Sequence, residues 1–194
     1  MKRLLAILVL AGLALSARAA DEALFNEDDT WNLFSTFEAR FSELGQDDGV
    51  LGGIRVGGIL NDRFAVGAGY YALLQEVDVG VNNYENLQEF DLWYGGLVLE
   101  YTLFAHKLVH TSVSGLIGGG EIRLDQLGSG DDRDISLFVL EPTFNLLINI
   151  TQSSELGLGI GYRHADAYGS SSEGLASGDL SSAVGTLFLR LTEF

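Results

Sequence analysis

Charged residues recur within segments of this chain that are otherwise apolar at every second position. Glu38 and Arg40 show the pattern most clearly, because Phe37, Ala39 and Phe41 alternate with them. The charge network predicted from this pattern comprises Glu38, Arg40, Arg55, Glu100, Glu141, Arg163 and Arg190, and Glu155 occupies the same kind of position. Acidic and basic side chains on one face of a structure can pair with each other. Such a row either conducts protons or ions, or fills an interior with satisfied polar groups.

A second candidate site is the segment Tyr162 to Ala167, with Glu173 downstream. His164 precedes Asp166 by two residues, a spacing that resembles the H-x-S plus Glu arrangement of outer-membrane lipid A 3-O-deacylases, which are eight-stranded barrels. The resemblance implies a lipid-facing active site, but Asp166 replaces the family's serine, and a histidine needs a hydroxyl to activate as nucleophile. A lipid A-modifying, deacylase-like enzyme with His164, Asp166 and Glu173 as its site is therefore an alternative prediction.

Other kinds of site are not predicted. His106 and His110 flank a turn, so their i,i+4 spacing has no helical meaning for metal binding. The run Gly118 to Gly120 lies in a strand pattern without the following helix of a nucleotide-binding motif. The acidic connections lack the calcium-binding loop spacing. We predict no metal and no cofactor.

Composition excludes further classes. The chain has 194 residues, 11 Lys and Arg, 27 Asp and Glu, and no Cys, with a formal net charge of −16. Nucleic-acid binding requires basic surface, so it is not expected. Without Cys there is no disulfide, zinc thiolate or thiol nucleophile.

Eight segments with two-residue periodicity position the charged residues. They are 31–44, 49–60, 63–75, 88–104, 107–124, 134–150, 153–167 and 179–193. Ordinary strands average 5–6 residues, whereas a tilted transmembrane strand needs about 9–11. The lengths predict an all-β fold, an eight-stranded antiparallel up-and-down transmembrane β-barrel.

The two faces of the segments differ in chemistry. The 40 apolar-face positions taken from all segments except the fifth, whose parity is unclear, contain no charged residue, and in the sixth segment they run from Phe138 to Ile150. They carry the aromatic residues Trp31, Phe37, Phe64, Tyr70, Trp93, Tyr101, Phe144 and Tyr162, while the other face is rich in Gly and holds the charges. Lipid tolerates charge poorly and a lumen tolerates it well. We therefore expect the charges to form a polar plug in a narrow lumen.

The connections between segments alternate in length. Short turns at Asn61-Asp62, Ala105-His106 and Thr151-Gln152 alternate with the segments near 45–48, 76–87, 125–133 and 168–178. Outer-membrane barrels have short periplasmic turns and longer outer loops. The final residue, Phe194, resembles the aromatic end of a last strand read by the barrel-assembly machinery.

The amino terminus is typical of a secretory signal peptide. Lys2 and Arg3 precede an apolar run, and Ala17 and Ala19 stand at the −3 and −1 positions of a cleavage site after Ala19. We predict a signal peptide at 1–19, a periplasmic lead-in at 20–30 and a barrel at 31–194. Cleavage would leave 8 basic and 27 acidic residues, which changes the formal net charge to −19.

Several blocks in residues 90–194 resemble a family of small, uncharacterised outer-membrane β-barrel proteins of Gram-negative bacteria. They are 92–101, 107–110, 138–142, 159–163 and 179–181. The resemblance implies an eight-stranded barrel and carries no known activity. We predict a monomeric, non-enzymatic barrel of the bacterial outer membrane, with an envelope-structural or surface-interaction role. Its expected partners are outer-membrane lipid, lipopolysaccharide and, during insertion, the barrel-assembly machinery. A small pore is a third possibility.

Overall fold

The computed structural model describes residues 30–44, 47–74, 87–126, 133–168 and 180–193. Its strands are β1 Trp31–Leu44, β2 Asp47–Leu60, β3 Phe64–Leu73, β4 Leu87–Leu103, β5 Val109–Gln126, β6 Arg133–Asn149, β7 Ser154–Tyr168 and β8 Ser182–Glu193. The eight predicted segments match these strands, with ends displaced by up to three residues. The predicted signal peptide, Phe194 and Glu173 lie outside the described residues.

The strands form one closed antiparallel barrel in sequence order. Each strand pairs with its neighbours in the chain, and β1 closes the barrel by pairing with β8 from Leu33–Glu193 to Ser42–Val184. Closure satisfies the backbone hydrogen bonds of every strand, which lipid cannot do. Within the described ranges, no helix has the length and apolar character needed to cross a membrane.

Short connections meet at one end of the barrel, which we call the turn rim: residues 61–63, 104–108 and 150–153. The opposite end is the loop rim. At the first turn Asn61 and Asp62 have φ of 52° and 58°. Two consecutive positive φ angles are what a type I′ hairpin requires, and Asn and Asp adopt them at little cost. The second connection is longer than the expected Ala105-His106 turn, with Phe104 at φ 60°.

The barrel exterior is apolar through most of its height. Side chains predicted to face lipid are 39–52% exposed, including Trp31, Phe37, Phe64, Tyr70, Tyr101, Phe144 and Tyr162. Trp93 is half-buried because it stacks on Tyr70, with ring centroids 6.0 Å apart. The fifth strand, whose parity the sequence left open, turns Val113 and Ile117 outward. An apolar exterior on a closed barrel is the arrangement of a membrane-spanning protein.

The interior has two levels. Near the loop rim it is apolar, and we call this set the loop-side cluster: Leu44, Leu51, Leu92, Ile122, Ile135, Leu137, Val139, Ala165 and Leu180. Below it the inward side chains are mostly charged or hydroxylated. Glycines give the larger inward side chains room: a Cβ at Gly53 would collide with the Tyr71 ring, and one at Gly157 with Phe188.

Candidate functional site

Arg40 on β1 occupies the centre of the polar interior. Its Nε donates to Glu38 at 3.0 Å, and it also contacts the Glu141 carboxylate. Its guanidinium donates to the hydroxyls of Tyr71 at 2.7 Å and Tyr94 at 3.2 Å, and Tyr94 donates to Glu141 at 3.0 Å. All five side chains are buried. Arg40 therefore joins two carboxylates and two phenols from four strands.

The pairing continues toward the turn rim. Arg55 on β2 contacts Glu38 and lies 3.3 Å from Glu100 on β4. Arg190 on β8 donates to both oxygens of Glu100, at 2.7 and 2.8 Å, and reaches Glu155 on β7 at 3.5 Å. The result is one alternating row, the ion-pair chain: Glu141, Arg40, Glu38, Arg55, Glu100, Arg190 and Glu155.

The alternation of carboxylates and guanidiniums makes the burial of these charges energetically tolerable. Moving a charge out of water costs several kcal/mol, and a low-dielectric pair repays that cost only with good geometry and further hydrogen bonds. Every guanidinium of the ion-pair chain lies between two carboxylates. The rings of Tyr71 and Phe188 add cation–π contacts, with Arg40 3.5 Å from the first centroid and Arg55 5.4 Å from the second.

His110 on β5 lies beyond the last carboxylate. Its Nε2 is 3.4 Å from Glu155, and its Nδ1 is 3.2 Å from the carbonyl oxygen of Lys107. Beside it a cavity of about 150 Å³ lies at the turn rim, and we call it the vestibule. Its lining residues include Asp62, Thr102, Asn149, Gln152 and Arg190.

Arg163 differs from the other interior arginines. Its Nε donates to the carbonyl oxygen of Leu180 at 3.1 Å, and its Nη2 donates to the hydroxyls of Ser42 at 3.1 Å and Ser182 at 3.3 Å. No carboxylate of the described residues lies within 4.0 Å of it, although only 1% of its surface is exposed. It lies between the ion-pair chain and the loop-side cluster, and its ring neighbour is Tyr94 at 5.9 Å.

Six of the seven charged residues singled out in the sequence lie in the ion-pair chain, and Arg163 lies apart. Sequence reasoning placed Glu155 on the charged face but left it out of the charge network, and it missed His110, Tyr71 and Tyr94 as members of the site. Glu155 has the same strand parity as Arg163, so parity alone was a usable signal for it. The tyrosines carry no such signal, because aromatic residues fall on both faces of these strands.

The alternative enzyme residues lie on the outside of the barrel. His164 Nε2 is 3.1 Å from Asp166 Oδ2, and both side chains are about half exposed. They continue the outward row of β7 beyond Tyr162, toward the loop rim. The structure thus brings His164 and Asp166 together, and Glu173 lies outside the described residues. Within the described part of the chain, no three His, Asp or Glu side chains group closely enough to hold a metal ion.

Comparison with solved structures identifies the same architecture. Neisserial surface protein A is 15% identical, with a TM-score of 0.57 over 85% of this chain and 99% of that protein. The N-terminal β-barrel domain of Pseudomonas aeruginosa OprF is 14% identical, with a TM-score of 0.51 over 82% and 97%. No protein-family model matches the chain, and no curated protein matches it in sequence.

These likenesses confirm the predicted fold class, a closed eight-stranded antiparallel barrel like those of small Gram-negative outer-membrane proteins. The resemblance found in residues 90–194 is confirmed as a likeness of fold. An apolar exterior around a polar interior on this fold agrees with the predicted location in the bacterial outer membrane.

Proposed function

We propose that this chain is a non-enzymatic outer-membrane barrel whose filled lumen is closed to ions, with a role in envelope structure or surface interaction. One observation carries the proposal: the ion-pair chain links side chains of six strands across the lumen, and its six members from Glu141 to Arg190 are each at most 6% exposed. An eight-stranded barrel has an interior just wide enough for its own side chains.

The loop-side cluster adds a second closure. Its inward side chains, such as Leu92, Ile122 and Leu137, are at most 2% exposed. A constriction lined by apolar groups excludes water and therefore ions, even where a gap exists. An ion that crossed this barrel would have to displace first the ion pairs and then the apolar packing.

The exterior supports a structural rather than an enzymatic role. His164 and Asp166 are half exposed and contact each other, and the position of the deacylase serine is occupied by the Asp166 carboxylate. A carboxylate there cannot be activated as a hydroxyl nucleophile is. We therefore assign this pair to the surface that faces the headgroup region.

The partners follow from that surface. On β6 the outward side chains change from Phe138 to Ser136 and Asp134 toward the loop rim. On β5 the outward position beside Asp134 is Arg123, and the two form an exposed ion pair at 3.3 Å. We propose that the protein is a monomer whose apolar outward residues contact outer-membrane lipid and whose polar outward residues contact lipopolysaccharide. We also propose that the barrel-assembly machinery inserts the chain into the membrane.

Conductance in planar bilayers tests the closed lumen. We expect refolded wild-type protein, whose insertion is checked by heat-modifiable migration in gels, to give no conductance steps. The Arg40→Ala/Glu141→Ala/Leu137→Ala protein should give small steps, because it removes the centre of the ion-pair chain and also opens the loop-side cluster. Arg123→Ala, on the outer face of the barrel, is the matched control and should give no conductance steps.

Steps in the wild type equal to those of the triple variant would show an open pore and refute the proposal. The lipid A of cells that express the wild-type protein tests for the enzymatic alternative. Its mass spectrum should be unchanged, and a lost acyl chain that returns in His164→Ala would make the protein a lipid A-modifying enzyme.

A further inference from the structure

The vestibule at the turn rim has the composition of a binding site. Its volume is about 150 Å³, and the row of residues around it is predominantly polar: Asp62, Thr102, His110, Asn149, Gln152, Glu155, Arg190 and Thr192, with Ile59 and Ala105. Three of the polar residues, Thr102, His110 and Arg190, are less than 8% exposed. Convergent polar groups around a cavity are the usual basis of small-ligand specificity.

The charges of the ion-pair chain do not balance. It contains four carboxylates, Glu141, Glu38, Glu100 and Glu155, and three guanidiniums, Arg40, Arg55 and Arg190. Since the signs alternate and both ends are carboxylates, one negative charge is left over. No member of the row balances it. Arg163 lies apart, toward the loop-side cluster, so the cationic group next to the surplus charge is the His110 imidazole when it is protonated.

Glu155 is the carboxylate with the weakest internal pairing. Arg190 makes its short contacts, 2.7 and 2.8 Å, with Glu100, and lies 3.5 Å from Glu155. The Glu155 side chain is 22% exposed, whereas that of Glu100 is 1% exposed. The surplus negative charge therefore lies at the wall of the vestibule, where a ligand can reach it.

Around that charge the acceptor groups outnumber the one guanidinium, Arg190, which already donates to both oxygens of Glu100. The Asp62 carboxylate, the amide oxygens of Asn149 and Gln152 and the hydroxyls of two threonines line the same cavity. A divalent metal ion lacks the three acidic or imidazole ligands it would need within the described residues. An ammonium group donates three hydrogen bonds and accepts none, which suits a wall of acceptors.

We propose that the vestibule binds a small organic ammonium group, with the Glu155 carboxylate as its counter-ion. The remaining lining groups accept the other N–H bonds, and Ile59 and Ala105 contact the carbon chain of the ligand. The site is independent of whether the lumen conducts.

His110 makes this binding depend on pH, because imidazolium and ammonium compete for one carboxylate. The charged groups that face the imidazole are Glu155 from β7 and Arg190 from β8. Glu100 from β4 acts through Arg190, and Asp62 lies across the vestibule in the turn after β2. A free imidazole titrates near pH 6.5. Affinity for the ammonium ligand therefore rises with pH as the internal competitor loses its charge.

NMR titration of the refolded protein in micelles with methylammonium chloride tests the site. We expect saturable shifts of the His110 ring and the Asn149 side-chain amide at pH 8, and at least tenfold weaker binding at pH 5. Glu155→Gln should abolish saturation. His110→Gln should bind methylammonium equally at both pH values.

Control variants keep the outcome independent of folding. Asp62→Asn changes an exposed turn residue and should weaken binding severalfold, and Asp134→Asn at the loop rim should leave it unchanged. Equal shifts with sodium chloride at the same ionic strength would overturn the proposal. So would saturation by acetate instead of methylammonium, which would make the vestibule an anion site, or unchanged binding in both Glu155→Gln and Asp62→Asn.

Discussion

Strand β6 is apolar outside and polar inside at mid-barrel, and it is polar outside and apolar inside near the loop rim. On β6, Phe144 faces outward and Glu141 faces inward at mid-barrel. Nearer the loop rim Asp134 faces outward, while Ile135 and Leu137 face inward and are at most 2% exposed. The period of two is unbroken along the strand, so the backbone is the same at both levels. Only the side of the barrel that is apolar has changed.

This difference shows where the strands leave the membrane. An apolar exterior is stable in lipid, and a polar exterior around an apolar interior is stable in water. The outward side chains become polar between Phe138 and Ser136 on β6 and between Tyr162 and His164 on β7. Beyond these positions β6 and β7 continue with the outward polarity expected of strands in water.

The two levels are consequently held together by different forces. At the loop-side level, burial of apolar side chains from water stabilises the interior. At mid-barrel the interior consists of the ion-pair chain, and removing one member of a buried pair leaves an uncompensated charge. Substitutions at the loop-side level should therefore destabilise the protein mainly through lost packing, and substitutions at mid-barrel mainly through unpaired charges.

The largest effect is expected from breaking the ion-pair chain at its centre. Arg40→Met keeps much of the side-chain volume but leaves Glu141 with no cationic partner among the described residues. We expect a loss of about 3–5 kcal/mol in the free energy of unfolding. Urea unfolding in micelles, followed by tryptophan fluorescence, measures it.

A matched pair of variants separates charge from packing in that result. Arg123→Met removes an exposed cation from an ion pair with Asp134 and should cost at most about 1 kcal/mol. Adding Glu141→Gln to Arg40→Met should recover part of the loss, because it removes the unpaired charge. Equal costs for Arg40→Met and Arg123→Met would show that the interior pairs are not energetically distinct.

A somewhat smaller effect is expected from placing a charge on the exterior at two heights. Phe144→Arg puts a guanidinium in the apolar belt and should cost about 2–4 kcal/mol, whereas Ser136→Arg, on the same face of β6, should cost about 0–1 kcal/mol. Urea unfolding in lipid vesicles compares the two proteins. If both variants lose the same stability, the membrane boundary does not lie between these positions.

The sequence predicted the strands and their outward faces because both signals are local. Alternation at Glu38 and Arg40, or at Glu141 and Phe144, identifies the faces without knowledge of the partner strand. The Asn61-Asp62 turn was equally local, since these residue types adopt positive φ.

The contacts inside the barrel were not predictable in the same way. Residues 135–140 are apolar at nearly every position, so residue type does not separate the two faces there, and the apolar interior formed by Leu137 and Val139 was not predicted. Which carboxylate each arginine reaches depends on side-chain directions across the lumen. Arg163 has the same parity as Glu155, yet it contacts hydroxyls and a carbonyl oxygen instead of an acid.

The smallest effect compares one methylene group on the two faces of β5. Ile122 in the loop-side cluster is fully buried, and Ile117 on the lipid-facing side is 47% exposed. Ile122→Val should cost about 0.5–1.5 kcal/mol, because packed neighbours collapse only partly into the space. Ile117→Val should cost less, because fluid lipid fills the space and strand preference is unchanged between two β-branched residues. Urea unfolding in the same vesicles measures both losses in the free energy of unfolding. A larger loss for Ile117→Val than for Ile122→Val would mean that the lipid-facing surface, not the loop-side cluster, is the rigidly packed one.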